Sequence, residues 1–475
     1  MDETIVILGG GPCGLSAAWE LAGHGRPVVV LEREDQLGGL CRTVQRGAFR
    51  FDLGGHRFIT RDPELLARVQ ALMGVELLVA ERRSVIRLDG RLYQYPLAAR
   101  DLFRQVNPAF GIACLADYLV HNLVRRVRGA DELSFERWVV NRFGRLLYRT
   151  FFEPYTAKLW GRSPATISAD WAAQRISLLN LWDVARRLMG RGDGVPRTYA
   201  RQFFYPREGI GQIFRRMGEE IAAAGGEVHC GAQVHTVEVD GRRVLGVGFT
   251  EDGAERFLRC GTVISTIPLP DLCRALRPGV GPELSASVEQ LRFRSMRFLN
   301  IMLEGPDFSE NTWTYVPEPR YLMTRIQEPK RRSPHSAPPG RTSLILEIPC
   351  DAGDALWSTG DEALLERCLA DLEEMGWPLG PRVLGCFSTR AEHAYPTYSL
   401  DYRAHCGRLL LHLRQHTDLI TCGRQGLFRY VFMDTAMQMG FAAAGAILGR
   451  GSRRSVEDAG LDQRLVEAQA IGGRP

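Results

Sequence analysis

The chain has 475 residues, 45% of them hydrophobic and 24% charged, with a net charge of +5 at pH 7. That length suits two interleaved domains rather than one simple core, and the composition is that of a globular protein. Its 60 basic residues are dispersed and nearly balanced by 55 acids, which argues against a nucleic-acid partner; no apolar run reaches the length of a transmembrane segment.

Only Lys158 and Lys330 among the basic residues are lysines. Such arginine usage fits a GC-rich genome, and only arginines inside a site bear on phosphate or carboxylate binding. The 11 cysteines contain no C-x-x-C pair, so neither zinc nor a redox dithiol is indicated, and reduced thiols in a cytoplasm are expected.

The chain opens directly into Ile5-Val6-Ile7-Leu8, which predicts a strand and no signal peptide. Gly9-Gly10-Gly11-Pro12-Cys13-Gly14 follows, with G-x-G-x-x-G spacing at Gly9, Gly11 and Gly14. The first glycine permits a tight turn, the second lets a pyrophosphate approach the backbone, and the third lets helix and strand pack. The helix that begins at Pro12 and Cys13 offers free N–H groups and a positive dipole end to a diphosphate. Cys13 reads as a small residue in a position with little room. After the helix, Val28-Val29-Val30-Leu31 predicts a second strand ending in Glu32, whose carboxylate can accept from a ribose hydroxyl pair.

The continuation Glu32-Arg33-Glu34-Asp35-Gln36-Leu37-Gly38-Gly39-Leu40-Cys41-Arg42-Thr43 is not part of a plain NAD fingerprint. It resembles the extended FAD signature of the amine oxidase, protoporphyrinogen oxidase and UDP-galactopyranose mutase superfamily. The resemblance implies FAD as the cofactor, with Arg33, Gly38, Gly39, Leu40 and Thr43 among its contacts along the diphosphate and ribityl chain.

Phe49-Arg50-Phe51 alternates as a strand does, and Gly54-Gly55 lets backbone approach something flat. Gly54, Gly55, His56, Phe58 and Thr60 resemble the Gly-Pro-His-x-Phe-His-Thr loop that lies against the isoalloxazine in the mutases; Ile59 stands in place of the second histidine. His56 is expected to hydrogen-bond flavin or substrate. An amphipathic helix is predicted over 62–78 and a hairpin over 84–97 with Asp89-Gly90 at its turn. Residues 100–200 are mostly helical by periodicity. Within them Tyr155-Thr156-Ala157-Lys158-Leu159-Trp160 resembles the mutases' Tyr-Thr-x-Lys-x-Trp, which implies that Trp160 and Arg175 line the substrate site. No long apolar stripe is evident that would argue for attachment to a membrane surface.

Phe204 to Gly211 opens a helix that ends near Gly225-Gly226, and strands follow over 227–239 and 243–249. Val263-Ile264-Ser265 returns the chain to the cofactor domain, and by the resemblance Val234 meets the adenine side. Residues 276–384 predict a sheet, with 329–341 a mobile surface loop. Tyr395-Pro396-Thr397-Tyr398 matches a Tyr-Pro-x-Tyr pattern whose tyrosines contact substrate diphosphate in the mutases. The run from Gly423 and Arg424 through Tyr430 to Met433 and Asp434 resembles their Gly-Arg-x-Gly-x-Tyr-x-Tyr-x-x-Met-Asp element at the FAD diphosphate and flavin; Phe428 departs from it. Residues after 451 predict a polar tail.

The expected fold is α/β, a Rossmann-like FAD-binding domain interleaved with a mixed helical and sheet substrate domain. FAD-binding parts fall at 1–98, 205–275 and 385–450, substrate-domain parts at 99–204 and 276–384, and the tail at 451–475. The resemblance implies a flavoenzyme acting on a nucleotide-linked sugar with reduced flavin as nucleophile. Its catalytic set would be His56, Trp160, Arg175, Tyr395 and Tyr398, and a homodimer is compatible with it. The alternative is net oxidation of a sugar or other metabolite by a protoporphyrinogen-oxidase-like or desaturase-like enzyme.

Overall fold

The first strand and its neighbours are uniformly apolar because both faces of their sheet are covered. A computed structural model of the protein describes residues 4–95, 108–128, 132–175 and 202–459. Five parallel strands run in the order Leu419–Thr421, Thr262–Ser265, Ile5–Leu8, Val28–Glu32 and Glu227–Cys230. Ile5, Ile7, Val28 and Val30 enter one core, while Val6, Leu8, Val29 and Leu31 enter another on the opposite face. The helices Pro12–Gly23 and Met433–Ile447 pack against each other so closely that a Cβ on Gly440 would lie 2.1 Å from the Cys13 carbonyl oxygen. Thr262–Ser265 does return the chain to this sheet beside Ile5–Leu8, and Glu227–Cys230 has already joined it beside Val28–Glu32.

A second sheet has seven strands, in the order Val383–Pro396, Phe293–Glu304, Arg341–Cys350, Arg325–Gln327, Trp313–Tyr315, Ser84–Leu88 and Arg91–Gln94. The last two form the expected hairpin, with Asp89 and Gly90 both at positive φ as the tight turn requires. This hairpin and the strand Val383–Pro396 thus pair with segments from 276–384. A four-stranded sheet joins Ala254–Arg259, Arg243–Glu251, Gln233–Asp240 and Leu276–Arg277.

Three expectations are corrected. The helix predicted over 62–78 is Pro63–Met73: Asp62 caps its start, accepting from the Glu64 and Leu65 amides, and Gly74 at φ +52° ends it. Leu77–Glu81 is instead a strand paired with Gln202–Pro206. Residues 329–341 are a surface loop only in part: Pro334, His335, Pro339, Gly340 and Arg341 are exposed, but Pro329, Arg332, Ser333, Ser336 and Ala337 are buried. The tail begins as the helix Arg453–Ala459, which packs Val456 into a core.

Candidate active site

The turn after the first strand is made of backbone. Gly9 sits at φ +100°, and a side chain there would strike the Thr266 hydroxyl. A Cβ on Gly14 would lie 2.0 Å from the Gly9 carbonyl oxygen, so Gly14 closes helix onto strand and does not border open space. Gly11 differs: the nearest atom to its added Cβ is the Gly39 Cα at 4.0 Å. Its open side faces a cavity of about 660 Å³ beyond the carboxyl ends of the central strands.

Gly9, Gly11, Pro12, Cys13, Glu32 and Arg33 border one end of this cavity, and Gly39, Leu40 and Val234 border it nearby. The buried Glu32 carboxylate accepts from the Gly10 amide at 2.6 Å and from the Glu34 amide at 2.9 Å. It therefore pins the turn, and burial raises its pKa. Arg33 is exposed, with carboxylates of Glu34 and Glu392 at 3.5 and 3.9 Å.

Gly54, Gly55 and His56 border the cavity where the seven-stranded sheet meets it. A Cβ on Gly55 would come within 2.4 Å of Trp313 Nε1, and one on Gly54 within 3.3 Å of the Glu347 carboxylate. The loop is thus glycine because the sheet crowds it. The buried His56 Nδ1 has no hydrogen-bond partner in the protein. Burial, and then the positive charges of Arg424, Arg332 and Arg325, lower its pKa to about 3. The imidazole is neutral at physiological pH.

Those arginines form one network. Arg325 donates to Glu347 Oε1 at 2.6 Å, and Gln327 donates to the same oxygen. Arg332 donates to Gln327 Oε1 at 2.7 Å and to the Gly54 carbonyl at 3.4 Å. Arg424 lies over the rings of Tyr430 (4.3 Å) and Tyr395 (5.1 Å), and donates to the Ala394 carbonyl. Gly423, Arg424, Tyr430, Met433, Asp434 and Tyr395 all border the cavity. Burial raises the Asp434 carboxyl to about 6.

Trp160, Tyr398, Thr43 and Gly38 do not border the cavity. Trp160 is 1% exposed and packs edge-on against Trp171 and Tyr395, which places it behind Tyr395. Tyr398 is equally buried, stacks on Tyr402 at 4.3 Å, and its hydroxyl accepts from the Tyr430 amide at 2.7 Å. The Thr43 hydroxyl donates to Asp52 at 2.7 Å and accepts from the Gly211 amide at 2.8 Å. Gly38, at φ +112°, donates its N–H to the Gly10 carbonyl and shapes the turn. Arg175 ends the helix Ala169–Arg175, and its side chain lies outside the described residues.

Sequence reasoning missed Arg57, Tyr315, Arg325 and Glu347, which border the cavity. Strands as short as Trp313–Tyr315 and Arg325–Gln327 carry no periodicity. Glu347 did leave a signal, a lone acid in the apolar run Leu344-Ile345-Leu346-Glu347-Ile348. Arg297 leaves the same signal yet is held away from the site by Asp361, Ser388 and three backbone carbonyls.

The cavity fits FAD. Gly11 and Gly39 offer bare backbone to a diphosphate at a helix N-terminus, and buried polar atoms without protein partners (His56 Nδ1, Arg424 Nε, Gln425 Oε1, Asp434 Oδ1) belong to residues along it. A parallel sheet, a glycine turn, an acid at the end of the second strand and this cleft together define a dinucleotide-binding flavoprotein. Residues 12–448 match the family of flavin containing amine oxidoreductases, and the chain belongs to that family. It is an FAD-dependent enzyme.

The chain is 24% identical over 428 residues to phytoene dehydrogenase of Streptomyces griseus, covering 79% of each protein. It is 25% identical over 174 residues to the probable UDP-galactopyranose mutase of Klebsiella pneumoniae, 36% of this chain and 44% of that one. A crystal structure of reduced UDP-galactopyranose mutase superposes with a TM-score of 0.83 at 23% identity, covering 97% of this chain and 99% of the other. At that identity the likeness concerns the fold.

Proposed function

We propose that this flavoenzyme carries out a net two-electron oxidation or reduction of a small anionic molecule, bound beside His56. Bound in the cleft, FAD supplies the two-electron acceptor or donor. The observation that carries the reading is the charge at this end of the cavity. Arg57, Arg325 and Arg424 border it, and the nearby carboxylate of Glu347 is already bonded to Arg325 and Gln327. A carboxylate or phosphate on the substrate would complement these guanidinium groups, with Arg57 and Arg325 holding it and Tyr315 and Tyr395 lining its path. His56, neutral, can orient a substrate oxygen or amide by a hydrogen bond but neither gives nor takes a proton at neutral pH. The Gly54-Gly55 backbone, crowded from behind by Trp313 and Phe298, keeps water off one face.

Net redox chemistry is favoured over sugar isomerisation because Trp160 and Tyr398 are committed to the core. The second reading is isomerisation of a nucleotide-linked sugar by the reduced enzyme, and it is supported by Tyr395 at the cavity with Arg424 over its ring. One anaerobic experiment tests both. Carboxylate- and phosphate-bearing candidates are added to the oxidised protein while absorbance near 450 nm is followed, and UDP-sugars are added to the chemically reduced protein. Bleaching by an anionic substrate, with KM raised at least tenfold in Arg325→Leu, is the expected result. Interconversion of UDP-sugars without flavin oxidation would overturn it in favour of the mutase reading.

A further inference from the structure

In a chain whose basic residues are nearly all arginine, Lys158 holds a position that suits no arginine. It is partly buried on the helix Glu153–Trp160. Its ammonium donates to the carbonyls of Val316 at 2.9 Å, Glu318 at 2.9 Å and Met323 at 2.6 Å. An ammonium has three protons, and here each has an acceptor. All three acceptors belong to the connection 316–324, which joins the strands Trp313–Tyr315 and Arg325–Gln327. Within it Val316, Tyr321 and Met323 enter one apolar core. The Val316 amide donates to the Thr324 carbonyl at 2.9 Å, and the Thr324 amide donates to the Glu347 carbonyl at 2.8 Å. On either side of the connection stand Tyr315 and Arg325, opposite each other in the strand pair. Both border the cavity, and the Arg325 guanidinium lies 5.7 Å from the centre of the Tyr315 ring.

We infer that Lys158 is a positioning residue: by gathering three carbonyls of the connection onto one nitrogen it sets where Tyr315 and Arg325 meet the cavity. Lys158 does not itself border the cavity, so it acts through those two side chains. The consequence for binding an anion rests on the function proposed above, whereas the positioning rests on the hydrogen bonds alone. Among the described residues no carboxylate lies within ion-pairing distance of the ammonium, and the nearby Glu318 is bonded to Arg87 and Arg320. Geometry rather than charge pairing therefore accounts for the lysine. Three carbonyls converge on a point, which fits a compact ammonium, whereas a guanidinium spreads its donors over a rigid planar fork. The same short helix brings Tyr155 to 6.3 Å from Tyr315 and Trp160 to 6.1 Å from Tyr395, between ring centres. It thus backs both tyrosines of the wall.

The test compares the FAD-loaded full chain with Lys158→Met and Lys158→Arg at pH 6, below the value of about 7 to which burial lowers this amine. Amide hydrogen exchange at Val316 and Thr324 is expected to quicken about tenfold in both variants, with the strand Ile5–Leu8 unchanged. Sulfate, replacing chloride at constant ionic strength, serves as the anion probe, read by the shift it causes in flavin absorbance. Its Kd should rise about threefold or more in both variants and in Arg325→Leu. Should Lys158→Met lose FAD, Lys158→Gln carries the same comparison. Wild-type exchange in Lys158→Arg overturns the inference, since a positive charge of any shape would then suffice. Exchange raised equally in Ile5–Leu8 also overturns it, because the lysine would then serve the fold as a whole. If Arg325→Leu binds sulfate as wild type does, the proposed anion site falls, and the exchange rates alone decide the role of Lys158.

Discussion

The two ends of the cavity are built on different principles. At the end beside the Gly9–Gly14 turn, which suits a diphosphate, the wall is backbone, placed by glycines that cannot be replaced without collision; Gly9, Gly14 and Gly440 each lack room for one more carbon. At the end beside His56, where the proposed reading puts the flavin, the wall is of side chains, held by a chain of bonds from Glu347 through Arg325 and Gln327 to Arg332. The first end is general to dinucleotides, since backbone N–H groups recognise phosphate alone. The second is where the proposed function locates substrate preference, because guanidinium forks and rings can be exchanged without touching the turn.

The sharpest way to break this contrast is to add a methyl at the first end. Gly440→Ala would press a Cβ to 2.1 Å from the Cys13 carbonyl and 2.9 Å from Ser16, so the two helices must part. We expect loss of most bound FAD and destabilisation at or above the about 1–3 kcal/mol of an overpacked core, read as the absorbance ratio 450/280 nm and a thermal midpoint. Retention of full FAD content would show that the helix contact is not needed for the cofactor.

At the other end Arg325→Leu leaves Glu347, 3% exposed, without its cation. Removing one partner of such a pair costs about 3 kcal/mol. Urea unfolding should show that loss, and Arg325→Leu/Glu347→Leu should recover part of it.

His56 gives a pH signature. Its folded pKa of about 3 lies below the ordinary 6.5, so between those values the unfolded chain takes up a proton that the folded chain does not. Stability from this group is complete above pH 6.5 and is lost as pH falls toward 3, about 2 kcal/mol of it by pH 5. Asp434, raised to about 6, acts in the opposite sense but equally in both chains. His56→Asn should therefore lose less stability than wild type between pH 7 and pH 5. Parallel slopes would mean that the imidazole is better solvated than its surroundings imply.

Tyr398 and Tyr395 sharpen the comparison. Tyr398→Phe removes the hydrogen bond that the Tyr430 amide donates and should cost about 1 kcal/mol with KM unchanged. Tyr395→Phe should change KM with little effect on stability. The smallest effect is expected of Arg33→Ala, whose carboxylate neighbours are at the surface: below about 0.5 kcal/mol in urea midpoint and near-normal FAD content.

Much of the diphosphate end was legible in the chain because its constraints are local. Gly9, Gly11 and Gly14 act on one another within a single turn, and Glu32 reaches that turn from the adjacent parallel strand. Such geometry repeats wherever the spacing does. The flavin end was legible only in outline. Gly54-Gly55-His56 and Gly423-Arg424 stood out as motifs, but Trp160 and Tyr398 matched their motifs equally well and lie in the core. Motif spacing fixes which element a residue rides on, not which face of that element meets the cavity.

The sequence by itself therefore determined the cofactor turn, the parallel sheet and the hairpin at Asp89-Gly90, all set by neighbours or by the covered faces of short apolar strands. Tertiary structure alone decided that Glu347 serves the cavity while Arg297, equally conspicuous in its strand, is tied elsewhere. In the helix Pro108–Arg128 it alone turned Asp117 inward, to accept from the Leu146 amide, and left Leu115 and Leu119 exposed, because the burial of a helix face depends on what packs against it and not on the order of its residues.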